Sequence, residues 1–83
     1  MTKILKAYAV GRGPSDVGNG LLDCATVTIQ TSPDNLRELS RFLVNCADRL
    51  EASTANDPSV HFHLQDEWKA WKSKYADFVV AAP

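Results

Sequence analysis

Ser32-Pro-Asp-Asn-Leu-Arg-Glu-Leu-Ser-Arg-Phe-Leu-Val-Asn-Cys-Ala-Asp-Arg-Leu50 and, after a short break, Val60-His-Phe-His-Leu64 are the stretches whose reading decides the fold. Ser32 is placed to accept amide hydrogen bonds as a helix N-cap, Pro33 suits the first helical position, and Asp34 complements the positive end of the helix dipole. Leu36, Leu39, Leu43, Cys46, Ala47 and Leu50 follow at helical spacing, with Phe42 on the margin of the stripe. Arg37, Glu38, Arg41, Asn45, Asp48 and Glu51 occupy the other side. Such a stripe packs on one face of a sheet. The small, polar, turn-forming run from Ala52 to Pro58 predicts the end of the helix near Ala52 and a reversal of the chain.

Val60 to Gln65 then alternates as a half-buried strand, with Val60, Phe62 and Leu64 inward and His61, His63 and Gln65 outward. Upstream, Ile4 to Val10 reads as a first strand. The breaker-rich run Gly11-Arg-Gly-Pro-Ser-Asp-Val-Gly-Asn-Gly20 reads as a hairpin loop. Its glycines invite comparison with a phosphate cradle. However, no Lys-Thr pair follows, and the next segment is strand-like rather than the start of a helix. Leu21 to Thr31 alternates, with Ala25, Val27 and Ile29 on one face and Cys24, Thr26, Thr28 and Gln30 on the other. Asp66 could cap a short helix in which Trp68, Trp71 and Tyr75 share a face; the competing reading is an irregular loop with its aromatics pinned down. Asp77 to Ala82 closes the chain as a terminal strand.

The expected architecture is α+β, in the order β-β-α-β-(α)-β: a four-stranded, mostly antiparallel sheet with one main amphipathic helix across one face. A chain of 83 residues makes one small domain, residues 1–83, of modest stability. Its apolar fraction of 45 % is that of an ordinary globular protein. A net charge of −1 gives no general attraction for nucleic acid or anionic membranes. The middle is mildly acidic, with Asp34, Glu38, Asp48, Glu51 and Asp57 set against Arg37, Arg41 and Arg49. No stretch reads as a signal peptide or a membrane span, so the expected location is the cytoplasm. Cys24 and Cys46 form no framework of spacings, and Cys46, on the helix stripe, reads as a small buried hydrophobe.

Chemistry is sparser than architecture. Strand alternation puts His61 and His63 on one face, about 7 Å apart at the backbone, a workable chelate geometry for zinc or iron with Asp66 as a third ligand. Partner binding and plain structural hydrogen bonding are the competing readings. No nucleophile elbow, paired carboxylates or activated cysteine points to catalysis, and no cofactor motif is present. Trp68, Trp71 and Tyr75 with their flanking lysines are residue types that stack on single-stranded nucleic acid; they also close small cores and anchor protein interfaces. One helix covers one side of a sheet, which leaves Thr26, Thr28, Gln30, His61, His63 and Gln65 as a polar face for a partner.

Ser32 to Leu43, His61-Phe-His-Leu-Gln-Asp66 and the closing Asp77-Phe-Val-Val-Ala-Ala-Pro83 together resemble the immunity protein 32 family of bacterial polymorphic toxin systems. The resemblance covers the C-terminal two-thirds of the chain. It implies a non-enzymatic intracellular protein that neutralises a cognate toxin domain by stoichiometric occlusion, a monomer or homodimer when free. It carries over His61 and His63, with Asp66 following. Combined with the open face, it gives a partner-binding set of His61, His63, Gln65, Asp66, Trp68, Trp71, Thr26 and Thr28. The rival readings are a small metal- or ligand-binding enzyme organised by the His-x-His strand, and a self-associating structural module.

Overall fold

The structure, a computed structural model, describes residues 4–16, 22–52 and 60–83. The far end of the Gly-rich run and most of the reversal expected between Ala52 and Pro58 lie outside them. The elements are β1 (Leu5–Asp16), β2 (Leu22–Thr31), α1 (Pro33–Ala52), β3 (His61–His63), a one-turn α2 (Leu64–Glu67) and β4 (Val79–Ala81). The fold is α+β with one main helix, as its patterning predicts.

The strands do not form a single four-stranded sheet. β1 pairs antiparallel with β2, and β3 pairs antiparallel with β4, as two separate two-stranded ladders. What ties them is the segment before β4. Ala76 N–H donates to the Leu5 carbonyl at 2.8 Å, and the Phe78 carbonyl accepts from Leu64 N–H at 2.9 Å. The chain between α2 and β4 thus meets β1 at Leu5 and the residue after β3 at Leu64, without a ladder forming beside β1.

β1 extends well past Val10, into the residues that read as loop. Both strands of a two-stranded ladder are edges, so glycine and proline are tolerated there as they are not in a central strand. The register runs regularly from Leu5↔Thr31 to Val10↔Thr26, then shifts to Gly11↔Cys24 and Asp16↔Leu22. Ala25 is left without a partner at the first shift, a bulge in β2.

Helix α1 starts where its cap predicts. Ser32 Oγ accepts the Asn35 N–H at 3.3 Å, and the Ser32 carbonyl accepts the Leu36 N–H at 2.9 Å. The Ile4 carbonyl clamps this junction by accepting from Thr31 Oγ1–H at 2.6 Å and from the Asn35 side-chain amide at 3.1 Å.

The buried stripe is narrower than the apolar one and rotated from it. Leu39, Phe42 and Cys46 are buried, whereas Leu36 is 50 % and Leu43 46 % exposed. At about 100° per residue, the apolar arc from Phe42 round to Ala47 spans roughly 140°, of which the buried residues take roughly 60°. Phe42 lies on the margin of the apolar arc, as expected, yet is buried.

These three residues pack with Leu5, Leu64 and Tyr75, flanked by Phe62, Trp68, Trp71, Phe78 and Val80. The core therefore lies between α1 and the chain from β3 to β4, with the start of β1 closing one end. The helix does not cover the hairpin: Val27 and Ile29, on the face expected to be sheltered, are 58 % and 40 % exposed. Strand β2 ends at Thr31 and α1 begins at Pro33, which leaves one residue for the chain to turn, too few to fold the helix back along the hairpin.

Candidate functional site

Strand β3 is short, yet its alternation holds. Phe62 faces the core opposite Val80, while His61 and His63 stand on the outer face opposite Ala81 and Val79. The two imidazoles meet edge to face, with ring centroids 5.1 Å apart. His61 is exposed and His63 half-buried; neither is enclosed beneath α1.

His63 is fixed by a residue fourteen positions away. Its Nδ1 lies 2.7 Å from Asp77 Oδ2, and the other carboxylate oxygen accepts the Gln65 backbone N–H at 3.0 Å. An ionised carboxylate only accepts, so the ring nitrogen that faces it, Nδ1, carries a proton. Asp77 also does the work of a helix cap. His63 stands at the N-cap of α2 without a side-chain cap bond, and Asp77 satisfies the Gln65 amide that a local cap would have taken. Nothing in the local spacing of residues 60–66 announces this; the one available signal is an acidic residue opening an apolar terminal strand.

From Leu64 to Tyr75 the chain makes consecutive tight turns rather than the longer helix offered as one reading. Trp68 N–H donates to the Leu64 carbonyl, Trp71 N–H to the Trp68 carbonyl and Tyr75 N–H to the Lys72 carbonyl. The Trp71 indole Nε1–H donates to the Ala76 carbonyl at 3.1 Å, and Trp68 stacks on Tyr75 with centroids 5.7 Å apart. Both tryptophans are half-buried against the core, so the pinned-aromatic alternative describes the segment. Gln65 and Asp66 are exposed on α2.

Thr26 and Thr28 are exposed on the hairpin, on the face that carries Tyr8 and Val10. They belong to the other ladder, so the continuous polar face expected to join them to the histidines is not built. The expected set divides into a C-terminal group (His61, His63, Gln65, Asp66, with Trp68 and Trp71 packed behind) and a hairpin group. Asp77 joins the first.

Two features anchor this surface to α1. The Arg49 guanidinium sits over the Phe62 ring, 4.0 Å from its centroid, and pairs with Glu67. Cys46 lies beneath them; burial pushes its thiol pKa up, the Arg49 charge opposes this, and Glu67 adds to it. That thiol is a packing group.

Among the described residues, no group of three or more His, Cys, Asp or Glu side chains is arranged to hold a metal ion, so the His61–His63–Asp66 chelate is not assembled. A groove of about 200 Å³ runs between the start of α1 and the turn segment, lined by Ser32, Asp34, Asn35, Trp68, Ala70, Lys72 and Tyr75. It falls below the roughly 300–1,000 Å³ of small-molecule sites. No described helix is long and apolar enough to cross a membrane. No family model, curated protein or solved structure matches this chain.

Proposed function

We propose that this chain is an immunity protein: a non-enzymatic binder that neutralises a cognate toxin domain in the cytoplasm by stoichiometric occlusion. The observation that carries the reading is the Asp77 carboxylate, which bonds both the His63 ring and the Gln65 amide. It joins two of the segments that resemble the immunity protein 32 family, His61 to Asp66 and Asp77 to Pro83, into one surface. Held this way, His63 loses little side-chain freedom when a partner docks, which favours binding over an equally polar but mobile surface.

The partner surface in this reading is His61, His63, Gln65 and Asp66, with Val79 contributing an exposed apolar contact beside the histidines. A specific complex buries about 800 Å² on each partner. The outer β3–β4 face supplies the centre of such a patch and α2 its rim. With a net charge of −1, association gains little from long-range attraction, so complementarity at short range has to supply the affinity.

The test takes the C-terminal domain of a large polypeptide encoded next to this chain and expresses it in cells with and without the chain. Survival only in its presence, lost when His61→Asp and Gln65→Arg are combined in a chain that still folds, is the expected result. Death with the intact chain present, despite soluble expression of both, overturns the proposal.

A further inference from the structure

Among the described residues, the β1–β2 hairpin gives the core a single side chain, Leu5. The other buried residues come from α1 and the chain after it, as do the half-buried aromatics packed on them. Beyond Leu5, the described side chains from Lys6 to Arg12 and from Asp23 to Gln30 are exposed, apart from half-buried Cys24. A two-stranded ribbon that buries so little is marginal by itself.

The ribbon is fastened at one end. The Leu5 carbonyl accepts the Ala76 N–H at 2.8 Å, and the Ile4 carbonyl accepts the Asn35 side-chain amide at 3.1 Å. The first bond reaches the segment before β4, the second the first turn of α1. The covalent link to α1 is Ser32, and it follows Thr31, the residue that pairs with Leu5 across the ladder. Side chain, carbonyls and elbow thus gather where the ladder begins.

Resistance to opening follows the apolar surface that an opening exposes, and proteins open locally where that surface is small. Releasing the ribbon uncovers Leu5 and breaks the bonds to Ala76 and Asn35. Unfolding α1 uncovers Leu39, Phe42, Cys46 and the aromatic groups on them. We infer that the hairpin is a latched arm: it opens as one unit by withdrawing Leu5, while α1 and the chain from β3 to β4 stay folded.

The bonds of Asp77 to His63 and Gln65 and the stacking of Arg49 on Phe62 lie wholly in the part that stays folded. The histidine surface therefore persists whether the arm is latched or released. Elements that rearrange on binding are drawn from the least stable units of a fold, and here that unit is the arm. The device is read on the chain alone and does not depend on the toxin-binding proposal.

The test is native-state hydrogen exchange of the full ¹⁵N-labelled chain. The ladder-bonded amides between Lys6 and Val10 and between Thr26 and Gln30, together with the Ala76 amide, are expected to share one protection factor. It should lie more than about tenfold below that of the Leu64 amide and of the α1 amides from Phe42 to Cys46. In low urea the hairpin amides should show the shallower slope, because their opening exposes less surface.

Leu5 and Cys46 are buried alike, yet truncating them should give different patterns. Cys46→Ala weakens a core that the latched and released states share, so it lowers protection in α1 and at Leu64 about two- to fivefold and leaves the hairpin unchanged. Leu5→Val weakens a contact that only the latched state makes, so hairpin and core amides fall together, by about two- to tenfold. Should Cys46→Ala lose its far-ultraviolet spectrum, Val80→Ala on β4 takes its place with the same pattern expected. Hairpin protection less than tenfold below the core, one common factor for both sets in Cys46→Ala, or hairpin amides that ignore Leu5→Val overturns the proposal.

Discussion

The Nδ1–H of His63 points at Oδ2 of Asp77 across 2.7 Å, and through that contact the segment before β4 holds the only histidine of the pair that is half-buried. The same carboxylate accepts a backbone amide at the start of α2. Asp77→Ala removes both bonds at once, the half-buried one to His63 and the exposed one to the Gln65 amide. The expected cost is about 1–3 kcal/mol, seen as a lower urea midpoint with an unchanged slope. Asp77→Asn keeps an oxygen for the Gln65 amide and is expected to cost less. In the ¹⁵N spectrum of the His63 ring, the intact protein should show the Nδ1–H form, which fades in both variants.

Rotation of the buried stripe gives a direct test on α1. Leu39 is 2 % exposed and Val44 60 %. Leu39→Ala is expected to cost about 2–4 kcal/mol, a large part of what a domain this small possesses. Val44→Ala should change stability by less than about 0.5 kcal/mol, since it removes no packing and alanine is the better helix former. Equal losses at the two sites would refute the packing.

Cys46 links stability to alkaline pH. Its thiol pKa is raised above its ordinary value of 9.0, because burial disfavours the thiolate. The folded state therefore holds this proton more tightly than the unfolded state. The stabilisation is fully present below pH 9.0 and is lost as pH rises from there through the raised folded value. Melting temperature measured upward from neutral pH should fall less steeply in Cys46→Ala than in the intact chain. The aromatic disulfide reagent used to titrate thiols should modify Cys46 only after denaturant is added.

Arg49 works through two partners, the Phe62 ring and Glu67. Arg49→Lys keeps the charge but loses the flat guanidinium that rests on the ring, and should cost about 0.5–1 kcal/mol. A double-mutant cycle of Arg49→Ala with Glu67→Ala should give a coupling of about 0.2–1 kcal/mol, reduced by salt, because the pair is partly exposed. A coupling of zero would assign the whole effect of Arg49 to the ring.

What was legible in the residues was local. Ser32, Pro33 and Asp34 mark the start of α1 because cap chemistry involves only neighbours in sequence. The period of two around Phe62 puts both histidines outside for the same reason. Pairing between distant segments was not legible: strand alternation says which face is apolar and nothing about which strand lies beside it. The expectation of one four-stranded sheet therefore gave way to two ladders joined at Ala76 and Leu5. The share of the leucine stripe that is covered depends on what the chain brings against it, so Leu36 and Leu43 read the same as Leu39. Asp77 escaped notice because its partners sit twelve and fourteen positions upstream.

The bifurcated clasp at the Ile4 carbonyl, taking Thr31 from one arm and Asn35 from the other, has a mechanical consequence. With a single residue as its elbow, the bearing of the hairpin is tied to the first turn of the helix. A substitution that shifts that turn therefore re-aims the described length of β1 and β2 together.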